Sequence, residues 1–521
     1  MGRDNVVQAG EIERRINAGE TLVVFEGMVL KLDNWLSKHP GGKLAIMHMV
    51  GRDATDQIQI YHSQQVQKTM RAFRIGRVQA PWINLTPPIQ KGMHKDVEAI
   101  IDTKDTKLRP DQQEKPRAPS MTRVNSYCKS VEKEKIEDPS QSEYADMAVR
   151  EEIERDLAAY PSLDPTTQHA ISEKYRLLAK RVEDEGFCQC DYWAYGRESL
   201  RYLLLFSCFM VALKAEWYIT SACFLGLFWH QIMFTAHDAG HLAITHNFAI
   251  DTVIACFIAD FCCGLSIGWW KSSHNVHHLV TNLPEHDPDI QNVPVFATSP
   301  SFFQSIHSSY YDFDFNWDAA ADVAVPMQAW TYYPIMGIAR FNLYLLSWLY
   351  LLSARSTSFG NAWWTRPLEL VFMASYWFLF GYCLLWLSIP TWKLRIAFVL
   401  VSHIITMVLH VQITLSHFGM STADLGTAES FAQHQLRTTM DVECPAWLDF
   451  FHGGLQFQAV HHLFPRVPRH NLRRLQVLVK EFANDINVEY KILGFVDGNK
   501  KVLGRLSDVA NQAKLLYMCH K

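Results

Sequence analysis

The sequence has little of what would mark a nucleic-acid-binding, disulfide-rich or secreted protein. Its 49 Lys and Arg residues nearly balance 53 Asp and Glu residues, so no basic surface for nucleic acid is indicated. Its 11 cysteines form no CxxC pair and follow no regular spacing, which predicts reduced thiols. Residues 1–30 carry scattered charges and lack the apolar core of a signal peptide, so the N-terminus is expected to stay in the cytosol.

Uncharged apolar segments occur only in the later part of the chain. Residues 202–236 are apolar except at Lys214 and Glu216, which predicts two short membrane spans joined by a polar turn. Residues 370–390 and 396–416 contain no Asp, Glu, Lys or Arg over the roughly 20 residues that a spanning helix needs. These segments predict an integral membrane protein.

The distribution of charge and apolarity divides the chain into four segments. A compact soluble unit is followed by a charged, largely disordered linker with a possible amphipathic helix within 147–183. A membrane unit and a short C-terminal tail complete the chain. The predicted boundaries are 1–82, 83–190, 191–500 and 501–521.

Three histidine clusters lie beside the apolar segments. They read His-Asp-Ala-Gly-His at 237–241, His-Asn-Val-His-His at 274–278 and Gln-Ala-Val-His-His at 458–462. Burying so many polar rings without partners is costly, and metal ions would use their lone pairs. Histidine-rich coordination suits iron or zinc, although the zinc-protease pattern HExxH is disfavoured because residue 238 is Asp. The candidate ligands are His237, His241, His274, His277, His278, His461 and His462.

A shared metal site restricts the membrane topology, because all three clusters must then lie on one face of the membrane. The apolar stretch 252–270, between the first two clusters, cannot cross and is expected to be re-entrant or interfacial. An even number of crossings must separate the second cluster from the third. The spans 370–390 and 396–416 supply two, so the further apolar stretch 333–353 is expected to lie along the interface. The prediction is four crossings in two hairpins, with the clusters and both termini in the cytosol.

The last predicted span carries histidines every seven residues, at positions 403, 410 and 417. The three share one helix face, and only His417 lies at the cytosolic end of the span. At the rise of an α-helix, His410 lies about 10 Å and His403 about 21 Å deeper. His417 is therefore a further candidate ligand, whereas the other two are expected to pack or to form hydrogen bonds.

The N-terminal unit contains His39-Pro-Gly-Gly, then Gly-Arg-Asp-Ala-Thr-Asp at 51–56, and then His62. This pattern resembles the α+β haem-binding fold of cytochrome b5. The resemblance implies that His39 and His62 are the two axial ligands of haem b, which then carries single electrons and does not bind oxygen. His48 is a competing candidate that fits the family spacing less well. A fused electron carrier favours iron over redox-inert zinc at the histidine clusters.

The fusion of such a domain to membrane histidine clusters resembles the front-end desaturases. Gln458 carries part of this resemblance, since it stands where other desaturases have the first histidine of the third cluster; it is a candidate iron ligand. The segments 269–278 and 282–289 are similar to those of the fungal Δ8 sphingolipid desaturases in that family. The implied fold class is an α+β haem domain fused to an all-α integral membrane domain.

The resemblance implies a di-iron oxidoreductase of the endoplasmic reticulum membrane. Two iron ions would use O2 to introduce a double bond at carbon 8 of the long-chain base of a membrane sphingolipid, a ceramide or glycosylceramide. Electrons would come from NADH through cytochrome b5 reductase and the fused haem. The alternatives are a Δ6 or Δ5 fatty-acyl desaturase, a lipid hydroxylase with the same iron centre, and a non-enzymatic membrane haem or metal carrier.

Charged residues near the clusters have two interpretations. Four acids either orient the ligand histidines or are solvated loop residues: Asp238, Glu285, Asp287 and Asp289. Four arginines form either the surface that the haem domain approaches or a contact with phospholipid head groups: Arg466, Arg469, Arg473 and Arg474.

Overall fold

The N-terminal part of the computed structural model is an α+β domain. The structure describes residues 4–79, 81–90 and 141–519. The strands of this domain form one antiparallel sheet in the order β1-β2-β3. Its elements are α1 (Ala9–Asn17), β1 (Leu22–Phe25), β2 (Met28–Lys31), α2 (Lys43–Met47), α3 (Thr55–Tyr61), α4 (Gln64–Met70) and β3 (Arg74–Arg77).

The sheet is buried on both faces because its side chains alternate. In β1, Leu22 and Val24 enter one apolar core, whereas Val23 and Phe25 enter another on the opposite face. The second core also receives Ile46 of α2, so the sheet supports the helical layer that carries both candidate haem ligands.

Two helices follow in the segment that the sequence assigns to a linker, α5 (Gln141–Ala159) and α6 (Pro165–Asp184). α6 begins where the Asp164 side chain accepts hydrogen bonds from the backbone N–H groups of Thr166 and Thr167. Its apolar face packs into a core formed with the C-terminal part of the chain. The amphipathic helix predicted within 147–183 agrees with α5 and α6, and the disorder predicted for the rest of the linker does not extend over 141–190. Residues 91–140 lie outside the described part of the chain.

Four helical segments of the described chain are long and apolar enough to cross a membrane. Three match predicted spans: α8 (Tyr218–Gly240), α13 with its π-helical continuation (Thr365–Ser388), and the consecutive helices α14 and α15 (Trp392–Leu415). The fourth, Ala319–Leu352, contains the stretch that the sequence predicts to be interfacial. Helix α7 (Tyr192–Lys214), which contains a predicted span, is not among them and carries several charged residues near its N-terminus.

Between α8 and the second histidine cluster the chain turns back sharply. α9 (Phe248–Cys256) continues as a π-helix over Phe257–Cys262, and α10 (Ile267–His277) leaves it at 116°. Broken spans and re-entrant loops both have such a bend, so the re-entrant interpretation of 252–270 stays a prediction. The second cluster lies at the C-terminal end of α10, beyond this bend.

The C-terminal part of the chain is helical and belongs to the membrane unit. α20 (Phe495–Cys519) buries Val502, Leu506 and Val509 in a core that also contains Tyr332 of α12 (Gln328–Leu352). The tail predicted for 501–521 is therefore helical as far as residue 519, and its buried residues pack in this core. The remaining elements are β4 (Ile306–Ser308), β5 (Phe313–Phe315), α11 (Ala319–Ala324), α12 (Gln328–Leu352), α13 (Thr365–Trp377), α14 (Trp392–Ile405), α15 (Met407–Leu415), α16 (Phe431–Thr438), β6 (Asp441–Glu443), α17 (Asp449–His452), α18 (Gln458–Leu463), α19 (Arg469–Asp485), β7 (Ile492–Gly494) and α20 (Phe495–Cys519).

Candidate metal centre

The three histidine clusters meet where α8, α10, α15 and α18 end or begin. Their nitrogen atoms sort into two groups, and within each group the candidate ligand atoms lie within 4.8 Å of one another. The first group is His237, His241, His274 and His461. The second group is His277, His417 and His462.

The first group is built from one face of α8 and single residues of two other helices. His237 and His241 are four residues apart, and their ring centroids are 4.8 Å apart. The ring of His461 lies 4.6 Å from that of His237, and the ring of His274 lies 5.0 Å from that of His241. Four imidazoles therefore surround one small volume.

A glycine lets α8 and α10 approach closely enough for this arrangement. A Cβ atom at Gly240 would lie only 2.2 Å from Cζ3 of Trp270. The Trp270 ring in turn stacks on His274, with 4.3 Å between the ring centroids. Gly240 thus fixes the position of a candidate ligand on the neighbouring helix.

The second group joins the end of α10 to the end of the last membrane helix. The ring of His277 is 4.7 Å from that of His417 and 4.9 Å from that of His462. His461 and His462 enter different groups because consecutive side chains on a helix point about 100° apart. The sequence alone assigns all these rings to one site without this division.

His278 and Gln458 lie beside the two groups. The ring of His278 is 4.1 Å from that of His462 and 4.8 Å from that of His241, so it stands between the groups. Its Nε2 is 3.0 Å from Nε2 of His274. Gln458 is buried and lines a small cavity beside the first group, together with Phe234, His237, Asp238, His461 and Arg469.

Nitrogen atoms without partners show that this donor set fits metal ions. Within the two groups, four buried ring nitrogens form no hydrogen bond with the described residues: Nε2 of His241, Nδ1 of His417, and Nε2 of His461 and His462. Unpaired polar atoms are costly in a protein interior, and a metal ion would use each lone pair. Burial, together with neighbouring histidines, lowers the pKa of His461 and of His462 well below the usual value. Both rings are therefore neutral, the state that binds metals.

Two polar side chains fix the orientation of rings in the second group. The buried carboxylate of Asp287 accepts a hydrogen bond from Nδ1 of His277 at 2.9 Å. Oε1 of Gln435 accepts one from Nδ1 of His462, also at 2.9 Å. Each contact leaves Nε2 of the ring as its metal-binding atom. The sequence leaves Asp287 as either an orienting acid or a solvated loop residue, and the contact with His277 supports the first. It gives no signal for Gln435, which α16 brings to the site only through packing.

The other acidic candidates and Arg469 differ from Asp287 in their contacts or their burial. Asp238 accepts hydrogen bonds from Tyr195 and from the buried guanidinium of Arg469. Both predicted roles of Arg469, docking of the haem domain and contact with head groups, are therefore wrong. Oδ2 of Asp289 is 3.7 Å from Nδ1 of His277. Glu285 is half-buried.

Three histidines outside the groups are engaged in hydrogen bonds of their own. Nδ1 of His403 lies 2.7 Å from the carbonyl oxygen of Val399, and Nδ1 of His410 lies 3.0 Å from that of Met336. Nδ1 of His48 accepts a hydrogen bond from the Gln90 side chain at 3.1 Å. These contacts support structural roles for all three.

We expect Asp287→Asn to weaken metal binding about 10- to 100-fold, because the amide can present an N–H to Nδ1 of His277 and favour the wrong tautomer. Competition with a graded series of chelators, followed by analysis of non-haem metal, measures the loss. Asp312→Asn, in an exposed loop, is the matched control. Unchanged metal retention in Asp287→Asn would contradict an orienting role.

His39 and His62 face each other in the N-terminal domain, with 5.9 Å between their ring centroids. Nδ1 of His39 donates to the carbonyl of Gly42 at 2.8 Å, and Nδ1 of His62 donates to that of Ile58 at 3.1 Å. Nε2 of each ring keeps its lone pair, as two axial haem ligands require. Burial lowers the pKa of His62 to about 3, and the nearby His39 adds to this effect, so the His62 ring is neutral.

Comparisons with known proteins agree with these two sites. The family model for fatty acid desaturases matches residues 215–494, and that for cytochrome b5-like haem or steroid binding domains matches residues 8–79. The chain is 49% identical over 532 residues to a Delta 8-(E)-sphingolipid desaturase of Emericella nidulans, covering 100% of this chain and 97% of the relative. It is 46% identical over 522 residues to the enzyme of that name from Komagataella phaffii, covering 99% and 95%. A Delta(8)-fatty-acid desaturase of Borago officinalis is 29% identical over 518 residues, covering 98% and 96%.

Proposed function

The chain belongs to the fatty acid desaturase family, and from this premise we propose that it introduces a double bond at carbon 8 of the sphingoid base of a ceramide or glycosylceramide. It is an oxidoreductase with an N-terminal cytochrome b5-like domain, which implies haem and iron as cofactors. Full-length identity of 46% and 49% to two Delta 8-(E)-sphingolipid desaturases supports the substrate, the position and the E geometry.

The two histidine groups would each hold one iron ion. His237, His241, His274 and His461 would bind the first, and His277, His417 and His462 the second; His278 and Gln458 are adjacent donors. When bound, the irons supply what no side chain can, the oxidation by O2 of two adjacent unactivated methylene groups. The protein contributes imidazole nitrogens, and Asp287 and Gln435 hold the tautomers of His277 and His462.

The haem domain would supply electrons one at a time. Desaturation removes two hydrogen atoms from the lipid and reduces O2 to two water molecules, which requires two further electrons and two protons. His39 and His62 would together hold haem b, and a haem held by two histidines would supply single-electron transfer rather than oxygen binding. NADH, acting through cytochrome b5 reductase, is the proposed source of these electrons.

Ring contacts across the centre support four membrane crossings. The ring centroids of His277 and His417 are 4.7 Å apart, although α12, α13 and the α14–α15 pair separate the two residues in the chain. Three crossings would put these rings on opposite sides, so at most two of the three helical segments cross. We propose that α13 and the α14–α15 pair cross, because 370–390 and 396–416 carry no Asp, Glu, Lys or Arg, and that α12, whose apolar stretch is interrupted by Arg340, does not. α7 and α8 form the other hairpin, since hydrogen bonds join Ser221 to Phe209 and Tyr202 to Thr235. The centre and both termini would then face the cytosol from the endoplasmic reticulum membrane.

Product analysis tests this function. In a yeast that lacks sphingolipid unsaturation, expression of the chain is expected to yield long-chain bases with an E double bond at carbon 8 and no new acyl double bonds. Mass spectrometry of long-chain bases and of fatty acids measures both products. The His461→Ala chain, expressed at the same level, is the control and is expected to give neither.

Each alternative predicts a different product. New acyl double bonds alone would replace the proposal with a Δ6 or Δ5 fatty-acyl desaturase. Hydroxylated bases without unsaturation would indicate a hydroxylase. A chain loaded with haem and iron that changes no lipid would indicate a carrier.

A further inference from the structure

Helix α6 lies between the third histidine cluster and the haem domain. On one side, the Tyr175 hydroxyl donates to the carbonyl oxygen of Leu463, the residue that follows His462, at 2.7 Å. The same face of α6 is buried in a core with residues of α18 and α19. The four residues of α6 that form this face are Ile171, Tyr175, Leu178 and Val182. α6 is thus fixed to the part of the chain that carries the metal centre.

Arg176, the residue after Tyr175 in α6, contacts the haem domain. Nε of Arg176 donates to Oδ1 of Asp56 at 2.6 Å, and its NH2 group is 3.6 Å from Oδ2 of Asp53. Asp56 is buried, and Arg176 is 31% exposed at its side chain, so this is a partly buried ion pair between two elements 120 residues apart. Asp56 lies in α3, the helix that ends immediately before His62.

Uncharged contacts support the same orientation. Asn84, which follows the haem domain, donates to the carbonyl of Thr427 at 3.0 Å, and the Thr427 hydroxyl donates to the carbonyl of Asn84 at 3.2 Å. Oδ1 of Asn84 also accepts a hydrogen bond from the backbone N–H of Asp53 at 2.7 Å. Asp53, which faces Arg176, is therefore held from two directions.

In this orientation, the segments that carry the two candidate haem ligands contact the second histidine cluster directly. The Asn275 side chain, between His274 and His277, donates to the carbonyl of Gly41 at 3.2 Å. The Tyr61 ring, next to His62, meets the His278 ring edge-on, with 6.2 Å between the centroids. The Tyr61 hydroxyl is buried and forms no hydrogen bond in the described part of the chain, so its ring contact, not a polar one, accounts for its position.

We propose that α6 is a docking element for the haem domain and that Arg176 is a positioning residue, which holds Tyr61 against His278 on the path between the two redox centres. In the step that this contact serves, the haem loses one electron and the iron centre gains it, with no bond made or broken. This part of the inference rests on the proposed function, because the electron transfer serves the proposed desaturation.

Charge reversal at Arg176 tests the proposal in the full-length protein, loaded with haem and iron in lipid nanodiscs. Arg176→Glu is expected to raise amide hydrogen exchange at both 43–62 and 267–279. It is also expected to slow reoxidation of the chemically reduced haem by about tenfold or more. Loss of an interfacial ion pair commonly weakens the association of two surfaces by at least this factor, and an undocked haem spends less time close to the metal centre. Arg176→Lys keeps the charge and is expected to recover most of both properties. Exchange is measured by mass spectrometry and reoxidation by haem absorbance.

Arg181→Glu is the matched control, since Arg181 lies on the same helix and pairs with Glu185 and Glu481. It is expected to leave both measurements unchanged. Normal exchange in Arg176→Glu would overturn the docking role, and faster exchange with normal reoxidation would overturn the positioning role. A wild-type protein that oxidises no lipid would count against the proposed function instead, while the exchange comparison between the two variants would still decide the docking.

Discussion

Replacement of His417 by alanine is expected to reduce formation of the unsaturated product by more than about 100-fold, since loss of even an outer-shell partner of a metal ligand costs 10- to 100-fold. The second histidine group has three members, and without His417 only His277 and His462 remain to hold its ion. Non-haem iron should fall from about two ions per chain to about one, because the first group keeps all four histidines. Elemental analysis of purified protein, corrected for haem iron by its absorbance, measures this change.

His410→Gln provides the control for His417→Ala. His410 lies two helical turns earlier, near the same face, and Nδ1 of its ring bonds to the carbonyl of Met336, a contact that glutamine can restore. This variant is expected to retain its iron and its product. If His417→Ala also retained full iron, His417 would be a packing residue and the second group would need another ligand.

The second large effect is expected from His62→Ala. This substitution should abolish the haem absorbance and lower product formation in cells by more than about 100-fold, because a haem with one protein ligand is neither held nor tuned for electron transfer. The non-haem iron should remain, since no histidine of the two groups belongs to the haem domain. Absorbance, elemental analysis and lipid analysis of one preparation give all three quantities.

His48→Gln is the matched control for His62→Ala, because His48 is a buried histidine of the same domain that bonds to Gln90. It is expected to keep the haem. A simultaneous loss of non-haem iron in His62→Ala would mean that the two metal sites depend on each other for assembly, contrary to a two-domain arrangement.

The types and positions of the candidate ligands could be read from the sequence, but their division between two groups could not. The dipeptide His461-His462 is split between the groups, and this follows from helix geometry only once 458–463 is known to be helical. His417 could be predicted from its depth in the last span. Gln435 could not, since its contact with His462 depends on the packing of α16 against α18.

The segment before the membrane unit was the least predictable part of the fold. Residues 141–190 are dense in charge, and composition of this kind favours disorder in isolation. α6 is ordered because its narrow apolar face has a partner almost 300 residues later, as the bond from Tyr175 to Leu463 illustrates. The sequence predicts an amphipathic helix within 147–183, but no local pattern in a single sequence identifies the distant residues against which its apolar face packs.

The adjacency of Tyr175 and Arg176 limits how this chain can be recombined. A haem domain from another protein, joined at residue 82, would bring its own surface to α6 and would keep the ion pair with Arg176 only if it carried acids at the positions of Asp53 and Asp56. Chimaeras that exchange 1–190 as one block would instead break the bond to Leu463 and the apolar contacts around it. The haem domain of this chain is therefore matched to the rest of the protein, and a domain exchange that preserves the docking must keep complementary residues on both sides of α6.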